Sequence, residues 1–476
     1  MRQICRMFLS LCFALLSMQQ ASATSLLDVY QSALVSDPSI REAEANRMVA
    51  YEQKPQARSQ FLPQINFTGN YQTSDSSGNR QQFQYVVDPN DPDPTNPTLP
   101  PVLAARSYPY TSNQDDLSYY VELRQTLFRW DQYQTYQQAD KVVAKADVDY
   151  EIARQGLMLK VSERYFNILA AKDTLGAAEA ALGATARQLE QAEKRFEVGL
   201  IAITDVKEAQ AAYDNTSAAV IAGKRQLATA LELLRELTGE YYSEFQKPGD
   251  DLPLAIPAPK DQQAWVDTAL QQNLSLVSSR ISVDIARDGI TIQRSGHYPS
   301  LDLFARKNWY DSTGETDTSG TNLPTKSDSE SGIIGVQFNI PIYSGGGTSS
   351  RVNEYVYRHR AAKEGLERVM RETERTARDA YLGIMAEMAR VQALKRATES
   401  SQTALEATEA GFEVGTRTTV DVLTSRRTLF EAETNYARAR YDYILNIIRL
   451  KQAAGILNEE DLARINEWLD LTVSTR

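Results

Sequence analysis

The segment RFEVGLIAITDV at 195–206 returns as GFEVGTRTTVDV at 411–422, so FEVG and the DV after it coincide at a shift of 216. Other matches keep that shift. Tyr165-Phe-Asn-Ile-Leu answers Tyr381-Leu-Gly-Ile-Met, and Leu237-Thr-Gly answers Ala453-Ala-Gly. At a shift of 215, Val121, Leu123, Leu127 and Phe128 answer Val336, Phe338, Ile342 and Tyr343. At 236, Arg58-Ser59, Pro63, Ile65 and Phe67 answer Arg294-Ser295, Pro299, Leu301 and Leu303. The order never breaks, so the chain reads as two similar halves, 24–260 and 261–476. The extra 21 residues of the first half lie between Phe67 and Val121.

Proline placement says what each half contains. None occurs between Pro109 and Pro248, or after Pro341. Proline breaks a helix interior, so these two runs predict long helices. Val161, Ile168, Leu175, Leu182, Leu189 and Phe196 recur every seven residues, with Ala171, Ala178, Thr185 and Ala192 three places on. Ile384, Val391, Thr398, Leu405 and Phe412 echo them. Large and small residues alternating with this period predict coiled-coil packing. The first helix would run from Trp130 to Val198, roughly 100 Å at about 1.5 Å per residue. Gly199 and Gly415 stop the helices, since glycine accepts the left-handed conformation of a helix C-cap. FEVG therefore marks the tip of a helical hairpin, once per half.

Four short segments alternate with period two instead: 64–73, 117–128, 300–310 and 333–343. Ile65, Phe67 and Tyr71 oppose Asn66, Thr68 and Asn70; Ile334, Val336 and Phe338 oppose Gln337 and Asn339. The lengths suit membrane strands, and Tyr71, Phe128, Trp130, Trp309 and Tyr343 stand at strand ends where interfacial girdles form. A half-buried soluble sheet has the same period. The Pro-rich 88–101 and the polar Asp311–Ser331 read as solvated loops. Four strands cannot close a barrel, and open edges are not viable in lipid. Several chains must then share one barrel, and three copies give twelve strands.

Arg2 and Arg6, an apolar run from Met7 to Met18 and Ala21-Ser22-Ala23 have the parts of a signal peptide over 1–23, with Thr24 as first mature residue. An uncleaved anchor is the alternative. Leu11 stands before Cys12 where a lipoprotein site needs a small residue. Both cysteines, Cys5 and Cys12, fall in this leader, so the mature chain has no disulfide framework. The net charge is −11, and −13 once Arg2 and Arg6 are lost, which argues against a nucleic-acid partner. No later segment is apolar enough for a membrane helix, a test that does not touch a β-barrel.

LLDVYQSALVSDPSIREAEA, RFEVGLIAITDV, LTGEYY, IPIYSGG, GFEVGTRTTVDVL and LNEEDL, spread over nearly the whole mature length, resemble the TolC family of outer-membrane exit ducts. The resemblance implies a mainly α fold with a membrane β-barrel. Trimers share a twelve-stranded barrel, four strands per chain, continuous with a long periplasmic helical tunnel. It implies export of drugs, and in some systems proteins, from a Gram-negative cell. The partners implied are a periplasmic adaptor, an inner-membrane transporter of RND, ABC or MFS type and outer-membrane lipid. No catalytic residue, cofactor or metal is implied. The hairpins match the periplasmic tips, where Phe412, Arg417 and Asp421, with Thr204 and Asp205, correspond to a gate. Phe412 lacks the hydroxyl of the tyrosine frequent there, and Thr424 replaces a second acid. Lys194 and Glu409 fall where the family has a polar link between helices, and an ion pair between them is expected. Each residue also has a plainer reading. Asp205 and Asp421 suit helix N-termini, Phe196 and Phe412 suit seam packing, and Arg417 suits an exposed turn.

An enzyme finds little support. The mature chain has only His297 and His359, and no HExxH, GxSxG or Walker loop; Ser344-Gly-Gly-Gly lacks the lysine of a phosphate loop. A structural coiled-coil protein would not need the strands, and a substrate-specific porin would not need the helices.

Overall fold

The computed structural model describes residues 24–249, 252–318 and 320–475, so the leader expected over 1–23 lies outside the described residues. Helices α1 (Leu26–Ser36) and α2 (Pro38–Ser59) lead into strands β1 (Gln64–Val86) and β2 (Val102–Phe128). Then follow α3 (Trp130–Glu197), α4 (Ile203–Thr238) and the short β3 (Glu244–Pro248). The same order returns as α5 (Gln262–Gln272), α6 (Leu274–Arg294), β4 (Ser300–Thr318), β5 (Thr321–Asn339), α7 (Gly347–Glu413) and α8 (Thr419–Ala453). Helix α9 (Glu459–Asn466) and β6 (Leu469–Ser474) complete it. Two compact units result, one of residues 52–140 and 287–357, the other of the remainder.

The first unit is built on one antiparallel sheet, in the order β1-β2-β4-β5. Its strands are longer than alternation predicts. Asp311–Ser331, expected as a loop, is strand on both sides of a tight turn, with Asp311 opposite Asp328 and Thr318 opposite Thr321. A ladder is held by backbone hydrogen bonds and does not require apolar side chains, so polarity misled the reading there. At the other end, 340–343 is not strand. One face carries Ile65, Phe67, Val336 and Phe338, and Ile334 is 77% exposed. A contiguous apolar face of this kind needs a covering phase or partner. The opposite face is polar and cross-linked. Asp302 binds Arg124 at 3.2 Å and Thr126 at 3.1 Å; Tyr310 donates to Asp116 at 2.7 Å; Gln114 donates to Ser312 at 2.8 Å.

Pairing of β2 with β4 ends at Tyr110–Thr318, while β1 and β2 continue together to Val86–Val102. The Pro-rich segment after Val86 has no helix or strand, as expected. It is organised by Asp91, whose carboxylate accepts from Leu99 N–H at 2.6 Å, Thr98 N–H at 2.7 Å and Asp93 N–H at 3.1 Å. The Leu99 amide, then those of Asp93 and Thr98, hold this carboxyl below the usual carboxylate range. A depressed folded pKa adds order that is present above the unfolded value and lost as pH falls through the folded one. Asp91→Asn should therefore open the loop at neutral pH, while the wild type should open only in acid. Protease cleavage within 88–101, followed against pH, checks this; equal cleavage of both proteins at neutral pH would contradict it.

The second unit holds the helical hairpins. Val161, Ile168, Leu175, Ala171, Ala178 and Ala192 are buried, as are Ile384, Val391 and Leu405, so the seven-residue seam is the packed face. Gly223 lets α4 approach closely, since a Cβ there would come 3.3 Å from Leu175. Thr185 and Thr216 join across the seam at 2.8 Å. Around the small β3–β6 sheet, Tyr165, Phe166, Phe245, Tyr441 and Tyr443 are buried. Each hydroxyl finds a partner, Tyr165 at Gln246 O (2.7 Å), Tyr441 at Asp173 (2.5 Å) and Tyr443 at Ala255 O (2.9 Å). Such partners replace the water that a buried phenol gives up.

Candidate functional site

The two hairpin tips are the places where this sequence departs from plain helix packing. At the first, Gly199 has φ 74 and donates to Phe196 O at 2.9 Å, while Leu200 N–H reaches Arg195 O at 2.8 Å. At the second, Gly415 has φ 78 and donates to Phe412 O at 3.1 Å, while Thr416 N–H reaches Gly411 O at 2.8 Å. Both are Schellman ends, which satisfy two carbonyls the helix leaves open. A Cβ on either glycine would meet open space, so the backbone conformation alone requires glycine.

The return helices start differently. Thr418 caps α8: Asp421 accepts from Thr418 N–H at 2.8 Å and from its hydroxyl at 2.9 Å, and Asp421 N–H points back to that hydroxyl at 3.3 Å. This is a capping box with aspartate in the third position. Helix α4 starts from Ala202, which has no hydroxyl, so only Asp205 contributes, accepting from Ala202 N–H at 3.3 Å. Both acids therefore serve their own helix starts. The Thr418 N–H, then its hydroxyl, and the charge of Arg417 hold the Asp421 carboxyl below its ordinary range, so it is ionised at neutral pH. Thr204 stands exposed on the first turn of α4.

Arg417 is exposed, but its stem folds back over α7. Its N–H donates to Gly411 O at 3.2 Å, and a Cβ on Gly411 would lie 2.8 Å from Arg417 Cγ. Phe412 is half-buried, packed beside Leu405, Val422 and Leu429. Across its ring lies Arg195 of the other hairpin, 4.9 Å from guanidinium carbon to ring centroid.

The expected Lys194–Glu409 pair does not form within the chain. Lys194 pairs with Glu190 and Glu409 pairs with Arg426. Glu190 lies one turn back on the same helix, the spacing at which side chains meet without bridging a gap. Arg426 lies on the other arm of the Glu409 hairpin. The structure thus brings Phe412, Arg417 and Asp421 to one tip and Thr204 and Asp205 to the other. Arg195, Gly411 and Arg426 contact Phe412, Arg417 and Glu409, and the sequence did not single them out. The Glu190–Lys194 spacing was legible. Arg195 on Phe412 joins residues 217 apart and left no local signal.

Among the described residues no helix is long and apolar enough to cross a membrane, and no group of metal-ligating side chains occurs. The family model of the outer membrane efflux protein matches residues 29–240 and again 265–456. Outer membrane protein TolC of Vibrio cholerae is 35% identical, covering 98% of this chain and 99% of that protein. TolC of Escherichia coli is 36% identical, over 96% and 87%. Alkaline protease secretion protein AprF of Pseudomonas aeruginosa is 27% identical, over 94% and 88%. Among solved structures, the Campylobacter jejuni CmeC outer membrane channel superposes with a TM-score of 0.68 at 18% identity, covering 96% of this chain and 94% of that one.

Proposed function

The chain belongs to the outer membrane efflux protein family, and from that premise we propose that it is an exit duct carrying drugs and secreted proteins from a pump complex across the outer membrane. The observation that carries this reading is the pairing, in one chain, of a sheet with an exposed apolar face and two hairpins whose long arms have 68 and 67 residues. Neither a porin nor a soluble coiled coil needs both. Likeness to the secretion protein AprF supports protein export beside drug efflux.

The working unit in this reading is a homotrimer. Strands β1 and β5 are the two outer edges of the sheet, and an unpaired edge is not tolerated in lipid. Pairing each β1 with the β5 of a neighbouring copy closes twelve strands. The two halves, 24–260 and 261–476, then act as structural repeats around the tunnel. Mass measurement in detergent should give three chains; a stable folded monomer would contradict the arrangement.

The tips face the pump side. Val198, Leu200 and Val414 are exposed there, the last at 76%. Large apolar side chains left in the open at both tips suit contact with a partner, here a periplasmic adaptor working with an RND, ABC or MFS transporter. Thr204, Asp205, Phe412, Arg417 and Asp421 form the gate, and three Asp421 carboxylates around the axis make the entrance prefer cations. Because Asp421 also caps α8, charge and cap must be separated. Asp421→Asn keeps an acceptor for Thr418 and removes the charge. It should lower the cation-to-anion permeability ratio in planar bilayers. A ratio equal to wild type would reduce Asp421 to a helix cap.

A further inference from the structure

We propose that Arg195 is a gate-positioning residue, whose guanidinium on the Phe412 ring ties the first hairpin to the second and holds the tip closed; this rests on the tip being the tunnel entrance. The two residues come from different hairpins, and their centres are 4.9 Å apart. Gln188, Gln191, Ala192, Ile201 and Thr419 close around them, leaving a gap of about 10 Å³. That volume is at the lower limit for a single water. Among the described residues Arg195 forms no ion pair, while Lys194 and Glu409 are paired within their own hairpins, with Glu190 and Arg426.

The repeat explains why the contact runs one way. The shift of 216 places Gly411 where Arg195 stands, and Ile201 where Arg417 stands. Each tip thus carries one arginine, at a different position. An arginine at 411 would occupy the space that the Arg417 stem fills. The aromatic answering Phe412 is Phe196, which is 41% exposed. Phe412 has no hydroxyl and offers a neighbour only its ring. A planar, delocalised cation is the partner such a face accepts, and it needs no hydrogen-bond acceptor.

The test uses the purified full-length protein in planar bilayers, with Arg417→Ser measured in parallel. Arg195→Gln keeps a good helix former and removes the charge. It should raise mean conductance at least twofold. Arg195→Lys should stay nearer wild type. Phe412→Leu should match Arg195→Gln, and the double variant should go no further than either single, since both remove one contact. Wild-type conductance in Arg195→Gln beside raised conductance in Arg417→Ser would overturn the role of Arg195 and leave the gate standing. Multiplicative effects of Arg195→Gln and Phe412→Leu would also overturn it. Unchanged conductance in all variants would overturn the reading of the tip as an entrance.

Discussion

Arg417→Ser is expected to raise the single-channel conductance of the purified protein several-fold in planar bilayers. Arg417 projects from an exposed turn, and its stem is held against Gly411. Among the described residues it forms no ion pair within the chain, so its guanidinium is available to a neighbouring copy, with Asp205 as the proposed partner. An exposed pair contributes about 0–1 kcal/mol. In the proposed trimer, threefold symmetry repeats it, giving up to about 3 kcal/mol in favour of the proposed closed tip. Since about 1.4 kcal/mol is a tenfold change in an equilibrium, the upper end is a hundredfold change in the closed-to-open ratio. Serine removes the charge and leaves the Thr418 cap and the proposed Asp421 ring in place. Conductance equal to wild type would mean that Arg417 does not restrain the tip.

A second large effect is expected far from the tips. Gly239 and Gly455 occupy equivalent places in the two halves, and both are left-handed, with φ 74 and φ 77. Their surroundings differ. A Cβ on Gly239 would meet nothing within 4 Å. One on Gly455 would lie 2.3 Å from Gln272 O and 2.7 Å from Asn273 Cα, which are backbone atoms. The junction cannot easily yield, because the Asn273 side chain donates to Ala453 O at 2.9 Å and Gln155 donates to Gly455 O at 3.2 Å. Gly239→Ala should therefore cost only the left-handed penalty, about 1–2 kcal/mol. Gly455→Ala adds a backbone collision and should cost more than about 4 kcal/mol, the range reserved for severe lesions. Thermal unfolding in detergent compares the two. Equal losses would mean that position 455 relaxes freely.

The same pair of glycines marks what the sequence makes legible. The helices could be read because their signals are local: proline-free runs, a seven-residue seam and a glycine at each end. Absence of proline was a sound sign of helix, although its presence did not forbid one, since Pro55 lies inside α2. The four strands could be placed by alternation only where one face is apolar. Beyond Asp311 both faces are polar, and only the backbone ladder continues. The β3–β6 sheet escaped because its strands are short and lie far apart in the sequence, Glu244–Pro248 pairing with Leu469–Ser474. At the tips, the caps follow from Thr418 and Asp421 being three apart. The seat of Arg417 on Gly411 and the Arg195–Phe412 contact depend on how the chain folds back on itself, and no spacing encodes that.

An exit duct for drugs is tested by the drug susceptibility of a strain lacking this chain. Minimum inhibitory concentrations should fall for several unrelated drugs and recover when the wild-type chain is restored. Identical susceptibility to every drug with and without the chain would contradict it.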